Sequence, residues 1–341
     1  MKKIAIMGTG SLGTILGAYL SRAGLSVTLI DAWKDHVNAL NQKGAKVSGT
    51  VNMLVPVKAC TPDEMEGNYD LFIYLAKQTF NDTAIPQMIA HCHKNTIICT
   101  GQNGLPEMAV AEFWPKANIC GMTVGWSASL LRPGESSLNS PEDSSLFGMH
   151  LGTLIGPVTD WLLEVKAILE KMCPIILTDN LIGDRWSKLT GNALSSGMST
   201  VIDGTFGDVY RSDRALTCAV RIGRECLQVC KAIHVTMPPA FGIDMMTIFD
   251  YNNTTGEQKA KDTVRKLDAA HGKGKASMLQ DLEKGKKCEI AYIDGVVSKT
   301  GREVGIETPY ADAVVRIVSE IEDGKRPLSP NNLNDMPNLP L

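Results

Sequence analysis

The sequence holds no apolar run long enough to cross a bilayer and no large excess of either charge. Thirty-four Lys and Arg stand against 37 Asp and Glu, a formal net charge of −3 over 341 residues. Such a balance gives no electrostatic case for nucleic acid or for an anionic membrane. Without a long apolar run there is no candidate membrane span. The N-terminus goes straight into a strand-like stretch, so no signal peptide is expected and the cytoplasm is the default location. No internal repeat is present. The nine cysteines are an odd number and contain no C-x-x-C pair. Most sit in apolar runs, as at Cys99 and Cys120, which reads as reduced thiols serving as small core residues. Cys226, Cys230 and His234 share a helical face, and His91-Cys92-His93 is a local cluster. Neither has a convincing further ligand set, so no metal is expected.

What is present is a globular composition, 44% hydrophobic and 21% charged. The chain is long enough for two domains, each with its own core. Its first 31 residues organise the rest. Lys2 to Met7 is an apolar strand, followed at once by Gly8-Thr9-Gly10-Ser11-Leu12-Gly13. Thr14 to Ala23 reads as a helix, Gly24 stops it, and Leu25 to Ile30 is a second strand ending on Asp31. Strand, Gly-rich turn, helix, strand and acid is the layout of a dinucleotide-binding βαβ unit. Gly8 allows the tight turn, Gly10 lets backbone approach a pyrophosphate, and Gly13 lets the helix pack closely on the sheet. The helix N-terminus, at Thr9, Ser11 and Leu12, offers N–H groups and partial positive charge to the phosphates. Asp31 can accept hydrogen bonds from both ribose hydroxyls of NAD and would repel the 2′-phosphate of NADP. NAD is therefore the expected cofactor; Trp33 and Lys34 follow, and the nearby cation loosens the discrimination, which leaves NADP as the alternative.

Beyond Asp31, Lys34–Lys43 reads as a helix and Ala45–Ala59 as extended stretches. Tyr69–Ala76 is a buried strand followed by Lys77, and Phe80–His91 is helical with Pro86 interrupting it. Thr96–Thr100 is a strand running into Gly101-Gln102-Asn103-Gly104, and Leu105–Phe113 is a helix. Asn118–Leu130 is extended, Leu130–Leu154 has hairpin character, Val158–Met172 is a helix and Pro174–Thr178 a strand. Strands alternating with helices imply a mainly parallel sheet covered on both faces. From about Asn180 helical patterns dominate: Ile182–Thr200, Arg211–Ile233, Gln258–Lys266, Cys288–Thr300 and Tyr310–Glu322, with a loop and short helix over Thr236–Asn253. The expected fold is an α/β Rossmann-type N-terminal domain with a mainly α-helical C-terminal domain. The boundaries are 1–180, 181–325, and a Pro- and Asn-rich tail over 326–341 that should be mobile.

A nicotinamide enzyme needs few protein groups, because the cofactor carries the hydride. Lys77 and Asn103 follow strands and could reach a ribose, a nicotinamide amide or a substrate carboxylate. A solvated strand-end lysine and ordinary Asn-Gly turn chemistry explain them equally well. Lys188, Asn192 and Ser196 are four apart and share one helix face. A cation, an amide and a hydroxyl there could bind an oxo group and a carboxylate, though a solvent-facing polar stripe has the same spacing.

Taken in order, several blocks carry a resemblance. They are the N-terminal Gly motif, Leu75-Ala76-Lys77, Gln102-Asn103-Gly104, and Trp186-Ser187-Lys188-Leu189 with Asn192. Ser277-Met278-Leu279-Gln280-Asp281 and Glu289-Ile290-Ala291-Tyr292-Ile293-Asp294-Gly295 complete the series. From Met1 to about Glu322 the chain resembles the ketopantoate reductase (2-dehydropantoate 2-reductase) family. The resemblance implies that Lys188 is the general acid protonating the alkoxide. It implies that Glu289 binds the substrate's hydroxyl end and helps organise the site at the cofactor. Asn103 and Asn192 would contact substrate or hold the lysine, Ser277 would bind the substrate carboxylate, and Lys77 would stand at the cofactor junction. Asn103 would also face the cofactor. There are departures. Asp31 stands where many members carry an arginine, and Ser196 where a second substrate-binding asparagine is common. Gly274 lies near a position that is often polar, and Thr236–Gly256 matches no family motif. The implied reaction is hydride transfer between a nicotinamide and a small branched 2-oxo acid, 2-dehydropantoate first. The alternatives are an NAD-dependent D-2-hydroxyacid dehydrogenase on another 2-oxo acid and a non-catalytic NAD(H) sensor. Helical second domains of the family can mediate a homodimer.

Overall fold

Ile4–Met7 is apolar and buried along its whole length, as a strand covered on both faces must be. The computed structural model that shows this describes residues 1–144 and 147–341. The chain forms two units: Met1–Gln102 with Pro106–Leu181, and Asn103–Leu105 with Ile182–Leu341.

The first unit runs β1 (Ile4–Met7), α1 (Ser11–Arg22), β2 (Val27–Ile30), α2 (Lys34–Lys43), β3 (Ala45–Gly49), β4 (Met53–Val55) and β5 (Lys58–Cys60). It continues with β6 (Tyr69–Tyr74), α3 (Asn81–Ile89), β7 (Cys92–Thr100), α4 (Pro106–Val110) and β8 (Ile119–Val124). It ends with β9 (Ala128–Arg132), β10 (Glu135–Leu138), β11 (Met149–Thr153), α5 (Asp160–Leu169) and β12 (Ile175–Leu177). Eight strands make one sheet in the order β12-β11-β8-β7-β6-β1-β2-β5. Within it only β8 and β11 pair antiparallel. The chain leaves β1 toward β2 on one side and returns to β6 on the other. That reversal is the switch point at which open α/β sheets bind ligands, beyond the strand carboxyl ends. Gly8, Asp31 and Lys77 follow the ends of β1, β2 and β6.

A second sheet, β4-β3-β10-β9, packs against α1. It joins the extended stretches expected over 45–59 to part of the hairpin region expected over 130–154. The rest of that region includes residues 145 and 146, which lie outside the described residues. α1 explains the second sheet: Gly13 to Leu20 are all buried. A helix buried all round needs cover on both sides. Pro86 lies inside α3 and does not end it.

The second unit runs α6 (Leu181–Asn192), a π turn (Ala193–Gly197), α7 (Met198–Val201), α8 (Phe206–Arg211), α9 (Asp213–Ala232) and α10 (Met245–Ile248). It continues with α11 (Thr254–Arg265), α12 (Asp268–His271), α13 (Ser277–Glu283), α14 (Asp294–Val304) and α15 (Pro309–Glu322). α9 is its axis, packed by the π turn, α8, α11, α14 and α15. Ser212 caps α9 by accepting the Ala215 N–H. Cys226 and Cys230 are core residues of α9, and burial pushes both thiols up.

Three expectations are corrected here. The helix expected over 182–200 is broken by the π turn. The helix expected over 288–300 begins only at Asp294, after a 3₁₀ turn at Ile290–Tyr292. The tail is docked rather than mobile: Met336 is 3% exposed, and Arg214 donates to the Met336 and Pro337 carbonyls, each at 2.8 Å. Among the described residues no helix is long and apolar enough to cross a membrane. Nor is any group of three or more His, Cys, Asp or Glu placed to hold a metal ion.

Candidate active site

The glycine turn of the first unit is fixed by backbone crowding. Gly8 has φ +92°, and a Cβ there would lie 2.2 Å from the Ala76 nitrogen. A Cβ on Gly13 would lie 2.6 Å from the Gly8 carbonyl oxygen. Gly10 differs, because a Cβ there would meet nothing within 4 Å. It is the N-cap of α1, with no side-chain cap and no acidic residue in the first turn. The N–H groups that open a helix need a partner, and here the protein supplies neither side chain nor counter-charge. Open space before an uncapped helix N-terminus fits the pyrophosphate of a dinucleotide. Ser11 and Leu12 lie in that first turn and are partly exposed.

Thr9 is fully buried and ties the turn to β2, its N–H and Oγ1 reaching the Ile30 carbonyl at 3.2 and 3.1 Å. Behind it lies a residue the sequence reading did not single out. His36 is fully buried and accepts the Gly134 N–H at Nδ1, 3.0 Å away. That leaves Nε2 to donate to Thr14 Oγ1 at 3.2 Å, while Thr14 Oγ1 donates to the Thr9 carbonyl at 3.1 Å. Burial holds His36 below its ordinary pKa, so the ring is the neutral Nε2–H form. Histidine in a polar helix turn carries no sequence signal for this. Asp31 is partly buried, and its Oδ1 accepts the Trp33 N–H at 2.9 Å. Lys77 is partly buried at the N-cap of the 3₁₀ turn Gln78–Phe80.

In the second unit, Trp186, Leu189 and Thr190 bury one side of α6. Lys188 is partly exposed. Burial of its ammonium first, and the Arg185 charge second, push its pKa down to about 8. One turn on, Asn192 Nδ2 stands 3.5 Å from Asn103 Oδ1. Asn103 and Asn192 therefore come together, and Lys188 lies one turn before Asn192 on the same helix. The π turn follows directly. Its wider i→i+5 spacing carries Ser196 out of the register a straight helix would give it. Ser196 is 9% exposed, and its carbonyl accepts from Thr200 Oγ1 at 2.8 Å.

Ser277 opens α13 and is exposed, and α13 packs against the π turn. Glu289 is 6% exposed and precedes the 3₁₀ turn at Ile290–Tyr292. Five residues later the buried Asp294 carboxyl lies where a Cβ on Gly197 would fall, at 2.7 Å. Burial holds Asp294 far above the carboxylate range. The π turn thus packs against α13, which Ser277 opens, and against Asp294, five residues after Glu289. An ammonium with a pKa near 8, one helical turn from an amide, can donate a proton near neutral pH.

Comparison with known proteins identifies the family. Residues 4–150 match the family described as "Ketopantoate reductase PanE/ApbA", and residues 180–322 match its C-terminal counterpart. The 2-dehydropantoate 2-reductase of Streptococcus pyogenes serotype M18 is 28% identical over 323 residues, covering 92% of this chain and 96% of that protein. Among solved structures, a PanE/ApbA family ketopantoate reductase from Ralstonia eutropha JMP134 has a TM-score of 0.80 at 23% identity. It covers 95% of this chain and 99% of its own. D-mandelate dehydrogenase with NADH and anilino(oxo)acetate has a TM-score of 0.81 at 23% identity, covering 94% of this chain and 99% of its own. At that identity both structures show the fold alone. With both family matches in sequence order across most of its length, the chain belongs to the ketopantoate reductase family of oxidoreductases.

Proposed function

We propose that the protein catalyses reversible hydride transfer between a nicotinamide cofactor and C2 of a small branched 2-oxo acid, with 2-dehydropantoate, reduced to pantoate, as the first substrate. The observation that carries the reading is Lys188, an ammonium lowered to about 8 one turn from Asn192 and its partner Asn103. The cofactor, when bound, supplies the hydride. Lys188 polarises the oxo group and gives its proton to the oxygen as the alkoxide forms, then regains one from solvent. The product is a D-type 2-hydroxy acid. Asn103 and Asn192 orient the lysine and the oxo group. Ser277 and Ser196 bind the carboxylate end, and Glu289 takes the distal hydroxyl. Gly8 to Gly13, Asp31 and Lys77 hold the cofactor, and Asn103 and Glu289 face it.

Asp31 favours NAD over NADP, because a carboxylate at that position repels a 2′-phosphate. It also favours a second reading, an NAD-dependent D-2-hydroxyacid dehydrogenase acting on another 2-oxo acid.

The test is loss of reduced-nicotinamide absorbance with NADH and NADPH across 2-dehydropantoate and a panel of branched and aromatic 2-oxo acids. Preference for 2-dehydropantoate supports the first reading. Turnover confined to other oxo acids with NADH supports the second. A clear NADPH preference overturns the role given to Asp31. No turnover with any oxo acid overturns both readings and leaves a protein that binds NAD(H) without reaction.

A further inference from the structure

The segment between α9 and α10 is anchored on α6. Ser187 Oγ donates to the Pro238 carbonyl at 2.6 Å, and Thr190 Oγ1 lies 3.4 Å from Met237 Sδ. Met237, Ile243 and Met245 are buried in the core of the second unit. Between these anchors Ala240 and Ile243 pair through two backbone hydrogen bonds of 3.0 and 2.9 Å. Phe241 and Gly242 are the two residues of the turn, with φ of +55° and +74°. Two-residue turns with positive φ at both positions favour Asn and Gly. A phenylalanine there is strained, and strain of this kind gathers where a side chain is held for use.

Core burial does not explain the residue, since Phe241 is 39% exposed. Its ring lies on α6 instead. A Cβ on Gly191 would meet Phe241 Cε2 at 2.5 Å and Cδ2 at 3.0 Å. Gly191 is three residues after Lys188, which makes the two neighbours on the surface of α6. On its other side the ring meets His271 edge to face, 6.4 Å between centroids at 83°. Gly191 makes room for the ring, and the anchored hairpin holds it on α6 one turn from the position of Lys188.

We propose that Phe241 is a specificity-determining residue, the apolar wall on which the C3 substituent of the 2-oxo acid packs while Lys188 and Asn192 take the oxo group. The inference rests on Lys188 as the proton donor of the proposed reaction. It selects branched or aromatic 2-oxo acids over pyruvate, whose methyl group is too short to use the wall.

The test compares the full-length protein with Phe241→Ala and Phe241→Leu. Substrates are pyruvate, 3-methyl-2-oxobutanoate, 2-dehydropantoate and phenylglyoxylate with NADH. Phe241→Ala is expected to lower kcat/KM for the branched or aromatic acids that the parent turns over by about 10- to 100-fold, chiefly through KM. Pyruvate should change little, and Phe241→Leu should fall between for branched acids. NADH binding should not drop, and the melting temperature should fall by only a few degrees at most, because alanine keeps the Cβ that strains the turn and the ring removed is 39% exposed and outside the core. Equal losses on every substrate, or no loss on any, overturn the wall alone. Absence of turnover in the parent with all four acids overturns the reading of Lys188, and the wall with it.

Discussion

The two units build their candidate sites from different material. In the first, the work falls to backbone: the left-handed Gly8, the open Gly10 and the uncapped N–H groups of α1. In the second it falls to side chains: Lys188 and Asn192, carried by a helix whose winding changes at Ala193, and Asn103, from the turn after β7. A backbone site is destroyed by adding atoms, and a side-chain site by removing them. The first kind of damage reaches the fold, because the crowding that defines the turn also packs β1 against the segment after β6. The second kind leaves the fold alone and removes chemistry.

The largest expected effect is at Lys188. Lys188→Ala should lower kcat by about 10²- to 10⁴-fold, the usual worth of a positioned general acid. Dinucleotide affinity, measured by NADH fluorescence, should not move. The pH profile sharpens the point. Lys188 is pushed down to about 8. The ammonium form, which reduction requires, is present below that pH and lost above it. Reduction by the parent should therefore fall as pH rises through about 8. Lys188→Arg, which keeps its charge, should show a low rate without that limb. Loss of NADH binding in Lys188→Ala would break the comparison, since the lysine would then belong to both sites.

The first unit allows an internal contrast of smaller size. Gly8→Ala places a methyl group 2.2 Å from a backbone nitrogen at a positive φ. It should lower the melting temperature and abolish cofactor binding together. Gly10→Ala adds its methyl to open space. It should leave the melting temperature unchanged while weakening NADH by about 5- to 30-fold, a cost of one or two kcal/mol. Equal loss of stability in both variants would mean that the turn is crowded throughout and that Gly10 keeps no space for phosphate.

The same division decides how much the sequence discloses. Gly8, Gly10, Gly13 and Asp31 are legible because a backbone site leaves residues of fixed type at fixed spacing. The parallel sheet is legible from buried runs such as Tyr69–Tyr74. The smaller sheet is not, because β3 and β10 pair across almost ninety residues and neither strand shows a partner in its own composition. Lys188 and Asn192 are visible as a helical pair. The π turn after them is not, since Ala193–Gly197 reads as unbroken helix and nothing in its composition marks the change of winding. Glu289 is found only through the motif around it. The expected helix is delayed to Asp294, which places Glu289 ahead of a 3₁₀ turn. Phe241 carries no local signal, because its strain and its seat on Gly191 exist only in three dimensions.

The smallest expected effect concerns the tail, which tests whether the second unit has one role or two. Its Pro- and Asn-rich composition suggests mobility, yet specific contacts hold it. Met336 is 3% exposed, Arg214 binds two of its carbonyls, and Arg221 donates to the Leu339 carbonyl. The Tyr310 hydroxyl accepts the Leu339 N–H at 3.3 Å. Arg214 and Arg221 lie on α9 and Tyr310 on α15, so the tail ties two core helices. Removing residues 336–341 gives up one buried methionine, worth about 1.5–3 kcal/mol. The arginines can recover part of their bonding from water. The melting temperature should fall by roughly 4–8 °C for a unit of this size. kcat and KM should stay within a factor of about two, because the hydrogen bonds that hold the tail run to α9 and α15. Unchanged stability with altered kinetics would reverse the assignment. The tail would then act on the reaction through α9, and the second unit's site would extend beyond the face that holds Lys188.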